Sequence, residues 1–293
     1  MSRVTIDDTI LLNIANSIRD KEGSSDNISP VDFAQRILDI PVNKVSQSGL
    51  NYTACEKIND NWQFKLITSS STANEYDSDA AQSALSGNDF VSVNLPHDWS
   101  IYNNFNNTSK ATYEGGYLDG GDAWYKKILT ITDETIDNRY FLYFEGIYME
   151  SNVIVNGTHL TAHKHGYTNF IVEITDVIRL NEENEILVYV KNRQPSSRWY
   201  SGSGIYRDVY LLKSGKVGFK QQSIKVTTPD LEEEYKLGYC NTNVEYIIEN
   251  TTDVQSTVNV EAIIKYFGIE VIKKSFVILC PVTFCAIYAG HFL

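Results

Sequence analysis

Nowhere in the 293 residues is there a basic run. Lys and Arg together number 25 against 37 Asp and Glu, for a formal charge of −12. That balance excludes a nucleic-acid partner, because neutralising phosphates takes clustered cations. An acidic, self-repelling surface accounts for it without any special ligand. Cysteine is scarce: Cys55, Cys240, Cys280 and Cys285 show neither metal-ligand spacing nor a disulfide framework, and read as unrelated thiols. No metal and no cofactor are called for. Residues Met1 to Asp8 lack the basic start and apolar core of a signal peptide, so a cytoplasmic location is expected. The glycosylation triplet Asn156-Gly157-Thr158 would matter only on a secretory route. A membrane-spanning helix needs about 20 apolar residues. The nearest candidate, Phe276 to Leu293, is shorter and contains Pro281.

Aromatic residues, in contrast, are plentiful: 19 Tyr, 12 Phe and 4 Trp in a chain that is 42% apolar. Flat and branched side chains suit pleated surfaces, and aromatic rings also suit the apolar faces of sugars. The length suggests about two domains. Residues 1–42 differ from the rest. Ile10, Leu11, Ile14 and Ile18 recur at helical spacing, and Ser29-Pro30 opens a second helix carrying Phe33, Ile37 and Leu38. This helical extension resembles a short module of phage-tail and prophage-associated proteins, and a capping extension of the next domain is the alternative. Residues 43–51 read as a linker. Residues 52–215 carry strand-like runs, among them Trp124 to Ile131, Tyr140 to Phe144 and Glu185 to Val190, with Asn156-Gly157 as a hairpin turn. Residues 68–88 lack sustained periodicity and read as an exposed loop.

From 216 a second β-domain begins, with Val258, Val260, Ala262 and Ile264 alternating against Asn259, Glu261, Ile263 and Lys265. About four strands are predicted over 216–276, fewer than the roughly seven of an immunoglobulin-like sandwich. Residues 277–293 form an apolar tail without polar alternation. Out-of-register coding, a membrane anchor and a core strand are the readings open for it, with the first preferred. The expected fold class is all-β: a jelly-roll sandwich, then a partial immunoglobulin-like sandwich, preceded by the short helical extension.

Three stretches bear on function. They are Leu95-Pro96-His97-Asp98-Trp99 with Tyr113-Glu114-Gly115-Gly116-Tyr117; Phe144-Glu145-Gly146 running through Val155-Asn156-Gly157 to His165-Gly166-Tyr167; and Ser197-Arg198-Trp199-Tyr200-Ser201-Gly202-Ser203-Gly204-Ile205-Tyr206-Arg207-Asp208. Read alone, Asp98 and Arg198 are loop anchors or an internal ion pair, and Trp99, Trp124 and Trp199 are core. Arg198 beside two aromatic rings also offers a fork of donors suited to hydroxyls, and Asp98 a charged acceptor. Asp119-Gly120-Gly121-Asp122 reads as a turn rather than a metal site.

In this order and spacing the three stretches resemble the N-terminal galactose-binding-like jelly roll of family 2 glycoside hydrolases, of the β-galactosidase type. The resemblance implies a β-galactoside-like carbohydrate as partner. Asp98 and Arg198 are then the first candidates for substrate binding, and Tyr117, Trp199 and Tyr200 the next. It also implies Asn156-Gly157 as a structural turn, Arg207-Asp208 as a domain-packing pair, and a separate catalytic barrel carrying both glutamates. Such a barrel takes about 250 residues, so no catalytic residue is assigned here and hydrolysis by this chain alone is not expected. The alternative function is a stand-alone binding or adhesion module, phage- or prophage-associated and virion-located. Surfaces that would otherwise be covered lead us to expect self-association.

Overall fold

The computed structural model describes residues 52–67, 75–133, 138–197, 201–266, 269–281 and 285–292. The expected helical extension (1–42) and linker (43–51) lie outside these. The chain divides into two compact units, one running Tyr52–Gly215 and the other taking in Lys216–Leu293.

The first unit is a two-layer antiparallel sandwich. Its smaller sheet orders β1 (Ala54–Lys57), β10 (Val209–Gly215), β5 (Asn138–Phe144) and β8 (Phe170–Glu173). The larger orders β3 (Val91–Val93), β2 (Trp62–Ile67), β4 (Gly121–Thr130), β9 (Glu183–Asn192), β6 (Ser151–Val155) and β7 (Thr158–His163). Period-two alternation sends Leu142, Phe144, Val209 and Leu211 from one sheet against Phe64, Tyr125, Val153, Val188 and Val190 from the other. The first strand and the last lie side by side, with Ala54 opposite Lys213.

β4 and β9 are buried on both faces. Their outward residues Trp124, Leu187 and Tyr189 join Ile154 in a second apolar cluster, covered by helix α1 (Asp79–Ser86). Over those eight residues the helix corrects the loop expected at 68–88, of which 68–74 lie outside the described residues. Ser78 caps it by accepting from Ala81 N at 3.3 Å, Asp79 sits in its first turn, and Trp124 Nε1 donates to the Ala81 carbonyl at 2.9 Å. Trp124 is core, as expected. β6 and β7 meet at Asn156 (φ 49°) and Gly157 (φ 81°), a two-residue hairpin turn with both residues left-handed.

The second unit holds β11 (Val217–Phe219), β12 (Lys225–Thr227), the short helix α2 (Leu231–Lys236), β13 (Thr242–Asn250), β14 (Ser256–Tyr266), β15 (Ile269–Cys280) and β16 (Cys285–Phe292). β16 pairs along β13 from Thr242 to Glu249, while β11 and β12 share its other edge. β14 and β15 form a long hairpin with a register shift at Ile264/Lys265. Tyr246 and Ile248 pack with Val260, Ile278 and Cys280 to form the core.

The expected break between 276 and 277 falls inside β15, and most of the apolar tail is strand. Val277 and Leu279 are apolar although they lie 76% and 58% exposed, so the polar half of the alternation is missing from the sequence there. Among the described residues no helix is long and apolar enough to cross a membrane.

Candidate functional site

The first and third sequence motifs meet at one place in the first unit. Residues 95–99 follow β3, and residues 201–208 lead into β10. His97 N donates to the Ile205 carbonyl at 2.8 Å and Trp99 N to the Ser203 carbonyl at 3.1 Å. On the far side of that segment Tyr148, from the second motif, exchanges backbone bonds with Gly204, each at 2.9 Å. All three motifs thus converge on residues 203–205.

Asp98 fastens the two loops. Its Oδ1 accepts from Ser100 N at 3.0 Å and from Ser203 N at 2.9 Å. The close approach depends on glycine. Gly202 has φ 79°, and a Cβ there would come within 2.9 Å of Asp98 Oδ2. Gly204 has φ 122°, and a Cβ there would strike the Tyr125 hydroxyl and lie 2.7 Å from the His97 carbonyl.

Below the carboxylate runs a buried polar network that the sequence did not announce. Asn192, at the end of β9, donates through Nδ2 to the Gly202 carbonyl at 3.0 Å and to Ser203 Oγ at 2.6 Å. Ser100 Oγ lies 2.6 Å from Ser203 Oγ and donates to the Asp119 carbonyl at 2.8 Å. Gln194 accepts from Gly120 N at 2.6 Å and donates to the Leu118 carbonyl at 3.0 Å. An asparagine and a glutamine in a stretch of polar residues carry no local signal; only the fold shows what they hold.

His97 points the other way, into the sandwich. Its Nδ1 lies 2.7 Å from the Tyr125 hydroxyl, and its ring meets Phe64 edge-on. Burial holds the His97 pKa below its ordinary value, opposed by the Asp98 charge, and burial drives the Tyr125 pKa well up. Both are therefore neutral near pH 7.

Trp99 is buried, packs on Phe64 at 5.6 Å between ring centroids and donates from Nε1 to the Gly120 carbonyl at 3.1 Å, which makes it core. Tyr117 is 40% exposed, at φ 58°, on the loop that returns to β4. Arg198, Trp199 and Tyr200 lie outside the described residues. Arg207-Asp208 is the pair expected at a domain contact. Asp208 is taken up within its own unit, binding Lys57 Nζ at 2.5 Å and Asn59 Nδ2 at 2.7 Å. Asp119 accepts from Ser109 Oγ, and Asp122 bonds the Tyr189 hydroxyl inside the larger sheet.

Residues 55–215 match the family model described as glycosyl hydrolases family 2, sugar binding domain. A β-galactosidase from Bacteroides ovatus is 35% identical over 182 residues, covering 62% of this chain and 21% of that protein. A β-glucuronidase from Bacteroides fragilis is 34% identical over 128 residues, covering 41% of this chain and 17% of that one. The crystal structure of a glycosyl hydrolase family 2 member from Bacteroides cellulosilyticus superposes with a TM-score of 0.65 at 28% identity, over 81% of this chain and 30% of that one. The chain spans about a fifth of the length of the relatives it matches.

Proposed function

Because the chain belongs to glycosyl hydrolase family 2, we propose that its first unit binds a β-galactoside-type sugar at the loops joined by Asp98. The observation that carries this reading is the anchoring of that carboxylate. One oxygen is held by two backbone N–H groups from two different loops, so the side chain is fixed in orientation before a ligand arrives. An ionised acceptor held in this way makes stronger hydrogen bonds to hydroxyls than a neutral one. Arg198, Tyr117, Trp199 and Tyr200 complete the proposed binding set.

The 293-residue chain taken alone binds and does not hydrolyse. Retaining hydrolysis needs two carboxyl groups about 5 Å apart at the scissile bond. Glu150 is engaged with Arg193 at 2.7 Å, and Glu114 and Glu145 lie in no stretch that resembles a catalytic motif.

Calorimetric titration of the full chain with galactose tests the reading. Asp98→Asn keeps an acceptor for the two backbone donors and removes the charge. It is expected to lower affinity about tenfold, in line with the ~1.5–3 kcal/mol of a charged hydrogen bond. Arg198→Ala is expected to abolish binding. Galactose binding that survives both Asp98→Ala and Arg198→Ala overturns the assignment.

A further inference from the structure

A cleft of about 630 Å³ opens in the first unit beside these loops, a volume in the range of ligand pockets, roughly 300–1,000 Å³. Among its lining residues are Asn106, Thr108, Lys110, Asp119, Arg193 and Gln194. A small adjoining hollow shares Asn192 and Gln194 with it and reaches Ser100, Ser201 and Gly202. The cleft and the segment that Asp98 fastens are thus near neighbours through Asn192 and Gln194, and Asp98 itself does not line the cleft.

Its chemistry narrows the ligand. The lining mixes donors with acceptors and carries charges of both signs, Lys110, Lys191 and Arg193 against Asp119 and Asp122. Two of the cations are paired, Arg193 with Glu150 at 2.7 Å and Lys191 with Glu75 at 3.2 Å. Such a surface has no excess of one sign to attract a phosphate or a polyanion, and Ile67 is the chief apolar side chain in it. It suits a neutral ligand covered in hydroxyls. The loop that supplies Asn106 also carries exposed aromatic rings. Asn106 N donates to the Tyr117 carbonyl at 3.1 Å, which brings Phe105 (80% exposed) and Tyr117 onto neighbouring limbs of the loop. Aromatic faces beside a polar cleft supply the two kinds of contact a sugar ring offers, apolar face and hydroxyl rim.

We propose that this cleft receives the second and later units of a neutral oligosaccharide whose terminal unit sits at Asp98. The proposal rests on the sugar-binding reading above and adds to it a ligand length and a second subsite. Titrating the full chain with galactose and with β-1,4-linked galactotriose tests it. The trisaccharide is expected to bind at least tenfold more tightly than the monosaccharide. Thr108→Trp, which fills the cleft from an exposed position, is expected to erase that difference while leaving galactose affinity unchanged. Lys110→Ala is expected to reduce it about threefold. If galactose binds and the trisaccharide binds no more tightly, or if Thr108→Trp leaves the difference intact, the cleft proposal fails alone. Tighter binding of trigalacturonate than of galactotriose also overturns it. If galactose itself does not bind, the sugar-binding reading has failed first and takes this one with it.

Discussion

His97 and Asp98 are neighbours in sequence with opposite fates: one side chain is drawn into the core and the other fastens the loops above it. The histidine has a measurable consequence. Burial places its folded-state pKa below the ordinary 6.5, so the unfolded chain takes up a proton first as pH falls. Its contribution to stability is fully present above about pH 6.5 and is lost as pH drops from there towards the folded value. His163, also lowered by burial, acts in the same direction. Urea denaturation between pH 7.5 and 5.5 is expected to show stability falling with acidity, and His97→Gln to flatten part of that slope. An unchanged slope in the variant would remove His97 from the account. At this scale, Asp98 and the glycines at 202 and 204 could be singled out from sequence because they stand in a dense motif. Asn192 and Gln194 could not, since what they bind is brought to them by β4 and by the return of the 201–208 segment, far away in the chain.

Among the elements, the strands were legible wherever one face is apolar and the other polar, or where β-branched and aromatic residues run together, as in β5 and β9. The Asn156-Gly157 turn was legible because φ is positive at both residues and few other pairs tolerate that. Two of the elements that were not show why. α1 is eight residues long and is built largely of Ala and Ser, so its stripe of Ala80, Ala81, Ala84 and Leu85 is too short and too weakly apolar to read as a period. Its N-cap is open to test: Ser78→Ala is expected to cost about 1 kcal/mol, seen as a lowered denaturation midpoint with unchanged slope. A loss below a few tenths of that figure would mean that packing on Trp124 alone holds the helix. The other is the end of β15, where the outward Val277 and Leu279 conceal the alternation that marks a half-buried strand.

For the whole molecule, the order of the three motifs was the informative signal for the family, and their meeting at residues 203–205 is what the structure adds. The second unit's strands said little about function. Among the described residues β14 and β15 pair only with each other, and Val277 and Leu279 lie exposed on that hairpin. Open strand edges with apolar faces favour pairing with another chain, opposed by a net charge of −12. We therefore propose self-association that strengthens with salt, as screening shortens the reach of the repulsion to about 8 Å at physiological ionic strength. Sedimentation velocity is expected to show concentration-dependent oligomers in the native chain and a monomer in the double variant Val277→Lys, Leu279→Lys. A native chain that stays monomeric at every salt concentration would refute this. The side-by-side placement of β1 and β10 bears on how the protein is made. The first strand of the sandwich finds its neighbour, opposite Lys213, only after some 150 further residues have been translated, a wait on the order of ten seconds at ordinary ribosomal rates. Through that interval Trp62 and Phe64 face a sandwich not yet closed, and a nascent chain that pauses there presents to chaperones the surface that the finished domain hides.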